Sequence, residues 1–235
     1  MWLLPSRSRP ANVKRAVEIY PEVDMVLWKT VDDPLLYEYD RIKVPERWKV
    51  VTGPAGARTA EIFNYFYSMF PEETYYGFIG DDVVPGPEGW DRKLQEAAGE
   101  MYIAYPEDSI QGSKLCPHFC IGGDLVRHVN HFAFPGIQHS FLDQIWYTLG
   151  DNADLLRYVP EVKFHHIHPL SEEVEVDEVY VRGQETLVQD KRVFNCWLRF
   201  QAKAMVKDLK EWKNEREAAT IRGGEELSIE EVAAL

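Results

Sequence analysis

The chain has 235 residues, 26 Lys and Arg against 39 Asp and Glu, a net charge of −13 and 45% hydrophobic residues. That is the composition of a soluble globular protein, and at roughly 100–200 residues per domain it allows one large unit or two small ones. No apolar run approaches the ~18 residues of a membrane span, and Met1-Trp2-Leu3-Leu4 running directly into Pro5-Ser6-Arg7 predicts no secretory leader. Three cysteines, Cys116, Cys120 and Cys196, are too few and odd in number for a disulfide framework and point to a reducing cytoplasm. A surface at −13 repels a phosphate polymer, which disfavours a dedicated nucleic-acid binder.

Taken in chain order, the first two thirds alternate short β-rich runs with amphipathic runs, the pattern of an α/β sheet with crossover helices. The predicted elements begin with a strand over 2–4 and a helix over 12–19, capped by Asn12 and packing Val13, Ala16, Val17 and Tyr20. Strands follow over 24–28 and 48–51. A helix over 57–70 turns Ile62, Phe63, Phe66 and Met69 inward, and Pro71 stops it. A buried strand over 75–79 ends in Gly80-Asp81-Asp82, and Gly86-Pro87-Glu88 opens the next helix. Beyond residue 101 the pattern predicts strands over 102–105, 118–121 and 162–168 and short helices over 124–130 and 140–149. Helical spacing of Leu187, Val188, Val193, Phe194, Trp197, Leu198, Ala202 and Met205 predicts one long helix or two joined ones over 181–216. Residues 218–235, acidic and interrupted by glycine, read as a flexible tail.

In an open α/β sheet, ligands bind outside the carboxyl ends of the strands. The residues expected there are Ser6, Arg7 and Arg9, then Asp32 and Asp33, then the turn from Gly53 to Arg58, then Asp81 and Asp82. Arginines, Gly-rich turns and four carboxylates describe a site for an anion together with a divalent cation. Adjacent carboxylates repel one another, and a hard metal relieves that while bridging phosphate oxygens. In Phe164-His165-His166-Ile167-His168-Pro169, residues two apart share a face of a strand, which pairs His166 with His168. Imidazole suits manganese better than magnesium, so one of these histidines joining Asp82 makes a mixed Asp/His site. Cys116, His118 and Cys120 would share a strand face in a zinc-like set, but they lack the tight CxxC turn and the second Cys pair of a structural site. Asp143, in the first turn of a helix whose apolar face is Phe141, Leu142, Ile145 and Trp146, is a candidate general base.

The order Leu4-Pro5-Ser6-Arg7-Ser8-Arg9-Pro10, Asp32-Asp33, a Gly-rich turn, then Phe78-Ile79-Gly80-Asp81-Asp82-Val83-Val84-Pro85 with Gly89-Trp90 resembles the nucleotide-sugar half of the family 2-like GT-A glycosyltransferases. Gly122-Gly123, Leu142-Asp143 with Trp146, and His166-x-His168-Pro169 resemble that family's acceptor half. The resemblance covers roughly residues 1–170. It implies a GT-A-like (Rossmann-like) mixed sheet flanked by helices, with residues 1–100 as the nucleotide-sugar half and 101–180 as the acceptor half of one catalytic domain, and 181–217 as a C-terminal helical extension. It further implies Mn²⁺ or Mg²⁺ held by Asp82 with His166 or His168, and a donor pocket lined by Pro5, Ser6, Arg7, Arg9, Asp32, Asp33, Gly53, Arg58 and Asp81. Gly122, Gly123 and Trp146 would face the acceptor, and Asp143 would be the base of an inverting transfer to a hydroxyl. Gly80 stands where the family's DxD motif has its first acid, and Leu142 where a Glu often precedes the base. The partners implied are a nucleotide-sugar donor and a hydroxyl-bearing acceptor, with no membrane. A second copy joined through the C-terminal helix is a candidate partner, and a nucleic-acid acceptor is compatible with the family but disfavoured by charge. The rival readings of the same residues are a metal-dependent nucleotidyltransferase or phosphoesterase, and a non-catalytic module that binds a nucleotide sugar.

Overall fold

The computed structural model describes residues 1–167 and 175–233, with side chains through residue 219. Strands β1 (Trp2–Pro5), β2 (Met25–Thr30), β3 (Trp48–Gly53) and β4 (Tyr75–Phe78) alternate with helices α1 (Pro10–Ile19), α2 (Leu36–Tyr39) and α3 (Thr59–Met69). Then come β5 (Val83–Gly86), α4 (Trp90–Ala98), β6 (Ile103–Asp108), β7 (Phe119–Gly122), α5 (Gly123–Val129), α6 (Leu142–Ala153) and β8 (Leu156–His166). Two joined helices follow, α7 (Glu178–Phe200) and α8 (Ala202–Ala233), the second passing through the segment that the sequence reads as a tail.

The strands form one mixed sheet in the order β3-β2-β1-β4-β7-β6-β8-β5. β3, β2, β1 and β4 are mutually parallel. β7 is antiparallel to both of its neighbours, β6 and β8 are parallel, and β5 closes the edge antiparallel to β8. Period-two alternation divides the core. Trp2, Leu4, Met25 and Leu27 pack on the face covered by α1 and α4, beside Val13, Trp90 and Leu94. Leu3, Val26 and Trp28 pack on the other, beside Phe63, Phe66, Ile145 and Trp146. Gly77 is required by a close approach, because a Cβ there would lie 2.3 Å from the Trp2 ring.

Several local expectations are corrected. Arg9 occupies the N-cap position of α1 without a side-chain cap, and Pro10 starts the helix, so Asn12 lies inside the first turn. Met69 is 49% exposed at the helix end. Residues 86–88 do not open a helix: Val83 and Pro85 are buried in alternation, as an edge strand demands, and α4 starts at Trp90 after Gly89 at φ 76°. The last strand begins six residues earlier than predicted, and His168 lies outside the described residues.

Register decides where chemistry can occur. Phe78 lies opposite Phe119, Val83 opposite His166 and Asp108 opposite Phe164. The carboxyl ends of β1, β2, β3, β4, β6 and β8 and the starts of β5 and β7 therefore share one edge of the sheet.

Candidate active site

A cavity of about 360 Å³ opens at that edge. Its walls come from the β1 loop (Pro5, Ser6, Arg7), the end of β2 (Trp28, Thr30), the entry to α3 (Arg58, Thr59), the β4–β5 turn (Gly80, Asp81, Asp82), His118, His166, and the first turns of α7 (Tyr180, Arg182, Gly183). Pro5, Ser6, Arg7, Arg58, Asp81, Asp82 and His166, all singled out in the sequence, thus meet around one space.

The two adjacent acids have different environments. Asp81 is 6% exposed and accepts from Ser6 Oγ at 2.5 Å and from Arg9 Nη1 at 3.0 Å. Burial pushes its carboxyl up to about 6, against the pull of Arg9. Asp82 accepts from Tyr180 Oη at 2.9 Å and Arg9 Nη1 at 3.2 Å. Burial alone would raise it, but the nearby His166, Arg9 and His118 and the Tyr180 hydroxyl hold it below the usual carboxylate range. Arg9 is the hub of this cluster. Its Nε and Nη2 make a paired contact with Asp177 at 2.6 and 2.9 Å, and its guanidinium lies 4.5 Å from the Tyr180 ring centre. Asp177 in turn caps α7 through the N–H groups of Val179 and Tyr180. Arg9 therefore ties the acid pair to the C-terminal helix and does not line the cavity.

His166 stands between two carboxylates. Its Nδ1 lies 3.2 Å from Asp108 Oδ2, and its Nε2 lies 3.7 Å from Asp82 Oδ1. Asp108 is held rigid by the N–H groups of Ile110 and Gln111, each at 2.9 Å. Although burial opposes it, the His166 hydrogen bond and these amides bring the Asp108 carboxyl down to about 2. The opposing burial is outweighed at His166 too, where the Asp108 hydrogen bond and the charge of Asp82 raise the imidazole above its ordinary value. A proton on Nδ1 directed at Asp108 leaves the Nε2 lone pair facing Asp82, the arrangement in which a carboxylate orients a metal-binding histidine.

Asp108, His118 and His166 present ligand-type atoms within 4.8 Å of one another. His118 is 4% exposed, and its Nε2 has no hydrogen-bond partner among the described residues. Its Nδ1 accepts from the Gly80 N–H at 3.3 Å, which places the proton of the neutral ring on Nε2. Burial, with His166 adding to it, drives its pKa down to about 3. Asp108 is committed to two amides and His166, and Asp82 Oδ2 to Arg9 and Tyr180, which leaves Asp82 Oδ1 facing His166 Nε2 at 3.7 Å.

A second cavity of about 390 Å³ shares Thr59, Phe78, Pro117, His139 and Ser140 with the first. Asp143 lines it, with Oδ1 accepting from the Gln144 N–H at 2.9 Å. Burial raises the Asp143 carboxyl above its ordinary value despite that bond. The dividing wall hangs on α7. Asp190, 0% exposed, accepts the backbone N–H of Gln138 at 2.9 Å, His139 at 3.0 Å and Ser140 at 2.9 Å, and Thr186 Oγ at 3.0 Å. His139 Nδ1 lies 2.7 Å from Thr59 Oγ1, and Gly183 leaves room for the ring, since a Cβ there would sit 2.8 Å from its Nε2.

Other predicted site residues do different work. Asp33, 5% exposed, accepts the N–H groups of Ser8 and Leu35 at 2.9 and 2.8 Å and so supports Ser8 at φ 56°. Asp32 stands outside the cavity wall, 3.2 Å from Arg7. Gly53 makes room for the indole of Trp28, which would lie 2.4 Å from a Cβ. The acceptor assignments fail on register and burial. Gly122 pairs with Tyr75 at the opposite edge of the sheet, where Gly122 and Gly123 press on the backbone of Glu100 and Glu73. Trp146 is 0% exposed and donates to the Phe132 carbonyl. Cys116 and Cys120 are free and belong to opposite core faces, so the zinc-like set does not assemble. Asp108, His118, His139, Tyr180 and Arg182 enter the site without having been expected there. Only His118 carried a signal, as part of the Cys/His cluster.

No family model matches the chain, and no curated protein does. Among solved structures, it is similar to a protein from Desulfovibrio desulfuricans G20 that has been assigned as a nucleotide-diphospho-sugar transferase, at 9% identity and TM-score 0.48 over 81% of this chain and 96% of that one. It is also similar to Rv0371C of Mycobacterium tuberculosis H37Rv in complex with manganese, at 13% identity and TM-score 0.44 over 78% and 96%. A third likeness is to residues 1–349 of TarS from S. aureus, at 11% identity and TM-score 0.48 over 86% and 72%.

Proposed function

We propose that the chain is a metal-dependent glycosyltransferase that moves a sugar from a nucleotide-sugar donor to a hydroxyl acceptor, inverting the anomeric carbon with Asp143 as base. The observation that carries this reading is the pair of cavities joined at one wall. One combines guanidinium groups with Asp81, Asp82 and His166, and the other holds a carboxylate whose proton affinity is raised. Asp82 and His166 Nε2 would hold Mn²⁺ or Mg²⁺; His168, the alternative histidine in the sequence, lies outside the described residues. Bound there, the ion would offset the charge that develops on a diphosphate leaving group.

The remaining roles fall to the chain itself. Arg7 and Arg58 face the phosphates, Pro5 and Ser6 form the floor beside them, and Asp81 fixes the first loop through Ser6 and Arg9. Asp108 keeps the His166 lone pair turned to Asp82. In the second cavity, Asp143 accepts the proton of the acceptor hydroxyl as that oxygen attacks the anomeric carbon. A raised pKa makes a carboxylate a better base. Entry from the Asp143 side with departure on the Asp82 side is a single displacement, hence inversion.

Thermal denaturation against a panel of nucleoside diphosphates, with and without Mn²⁺, tests the reading on the wild type and on Asp82→Ala. A ligand bound only by the folded state raises its stability as concentration over Kd increases. One diphosphate should stabilise the protein more with metal than without, and Asp82→Ala should abolish the metal-dependent part of the shift. If no diphosphate shifts the curve with any metal, the donor site is not as described.

A further inference from the structure

We infer that Arg182, contributed by the C-terminal helix α7, is a phosphate-binding residue that joins Arg7 and Arg58 in a cradle for a diphosphate. This inference rests on the donor-site reading above. It adds that the cradle engages phosphate oxygens directly, without the divalent ion.

The three guanidinium groups belong to segments far apart in the chain, yet they line the same cavity. Arg58 Nη1 donates to the Arg182 carbonyl at 3.0 Å, and Arg182 Nη2 donates to the Gly56 carbonyl at 2.9 Å, which locks the entry of α3 to the first turn of α7. Arg7 and Arg58 have carboxylate partners on the solvent side: Asp32 at 3.2 Å and Glu178 at 3.6 Å for Arg7, and Glu185 at 2.8 Å for Arg58. Arg182 has no carboxylate within ion-pair distance among the described residues. Its hydrogen bonds are to the carbonyls of Gly56 and Ala57, which leaves donors of its planar fork uncommitted. Arg7 Nε, 3.6 Å from Glu178 Oε1, is buried and makes no hydrogen bond among the described residues.

Like charges gathered on one wall repel. After burial, the proximity of Arg7 and Arg58 is the largest influence holding the Arg182 pKa below its ordinary value. An anion among them removes that repulsion and takes up the unused donors. The floor facing them carries Asp81 and Asp82, so the anion must be shaped to meet arginines on one side and leave oxygens toward a cation on the other. A diphosphate has that form. Arg matches phosphate oxygens in pairs, which a point-charge Lys does not.

The test is calorimetric titration of inorganic pyrophosphate into the full chain in chelator-treated, metal-free buffer. The wild type should bind. Arg182→Gln should bind roughly tenfold to hundredfold more weakly, the span expected for losing a charge-assisted hydrogen bond. Arg182→Lys should fall between them. Lys207→Gln, which removes an exposed cation on α8, should leave binding unchanged. Thermal midpoints verify that each variant is folded, and Arg182→Lys serves should Arg182→Gln fail to fold. Wild-type protein that takes up no pyrophosphate without metal, or variants at Arg182 that bind it as the wild type does, would overturn the cradle. Its failure is separable from that of the donor-site reading, because Mn²⁺-dependent binding of a nucleoside diphosphate, lost in Asp82→Ala, persists when the cradle alone is wrong. Pyrophosphate binding that depends on Arg182, with no nucleoside diphosphate bound under any metal, supports the cradle while sinking the donor site.

Discussion

Replacing Asp190 with Ala should destabilise the protein and loosen the wall between the two cavities. The wild-type carboxylate accepts three backbone N–H groups at 2.9–3.0 Å and the Thr186 hydroxyl at 3.0 Å, from a fully buried position. A buried donor left unpaired costs about 1–3 kcal/mol. Gln138 and Ser140 are half-buried and His139 is exposed, so water recovers part of this, and roughly 2–4 kcal/mol is expected for the set. For a chain of this length that lowers the thermal midpoint by roughly 5–15 °C. Asp190→Asn keeps one acceptor oxygen and should lose about half as much. The effect should also reach the candidate base, because the same loop leads into Phe141, held at φ 70° and stacked on Phe194 of α7 with ring centres 5.0 Å apart. A left-handed non-glycine residue persists only where its surroundings over-determine it. Differential scanning fluorimetry gives the midpoint, and hydrogen exchange reads the amides of residues 138–140 directly. A midpoint within about 2 °C of the wild type, or unchanged protection of those amides, would refute the claim that Asp190 holds the wall.

Other substitutions address other parts of the site. Tyr180→Phe removes a hydrogen bond that competes for Asp82, and should tighten Mn²⁺ binding by roughly fivefold, the equivalent of ~1 kcal/mol. Electron paramagnetic resonance of free Mn²⁺ measures this, and weaker binding would mean that Tyr180 supports the ion. In Gly53→Ala the new methyl meets the Trp28 indole, at a cost of about 1–3 kcal/mol of stability. A changed tryptophan emission should accompany the loss, and unaltered emission would show that the ring never moved. Burial holds His131 below its ordinary pKa of 6.5, with Nε2 unpartnered among the described residues. The unfolded chain therefore takes up a proton that the folded state resists: the contribution to stability is present above 6.5 and is lost as pH falls through and below it. Urea midpoints should decline over that range, and His131→Phe should flatten the decline; identical slopes would contradict the assignment.

The sheet was legible because its signals are local. Trp2-Leu3-Leu4 and Met25-Val26-Leu27-Trp28 are short β-rich runs, each ended by turn residues, and the acids that follow a strand in sequence stand at its carboxyl end in space. Asp81, Asp82, Arg7 and Arg58 could be found from that rule alone. It failed where a residue's use depends on its partner in the next element. Asp33 looks like a donor contact, yet its oxygens are consumed by the N–H groups of Ser8 and Leu35. Gly122 and Gly123 follow a strand too, but β7 is antiparallel, so its carboxyl end lies at the far edge. Strand direction within a mixed sheet is a long-range property that periodicity does not encode. Asp108 and His118 were missed for the same reason, since only the pairing of β6 with β8 brings Asp108 beside His166.

Helix α7 carries this argument furthest. Its spacing of apolar residues marks it as a helix that packs, and a packed helix after a catalytic sheet reads as an extension. The residues that matter are the ones that pattern discards. Tyr180, Arg182 and Gly183 fall in the first turns and line the cavity, and Asp190 lies two turns on, fully buried and polar. A buried carboxylate on a helix is costly unless donors converge on it. Those donors are backbone groups 50–52 residues away in sequence. The helix is thus tied to the site at both ends of this stretch, through Asp177 to Arg9 and the acid pair, and through Asp190 to the loop before Asp143. If the two cavities hold donor and acceptor, α7 is the element that sets their separation, and shortening the chain before residue 178 would remove a wall from each.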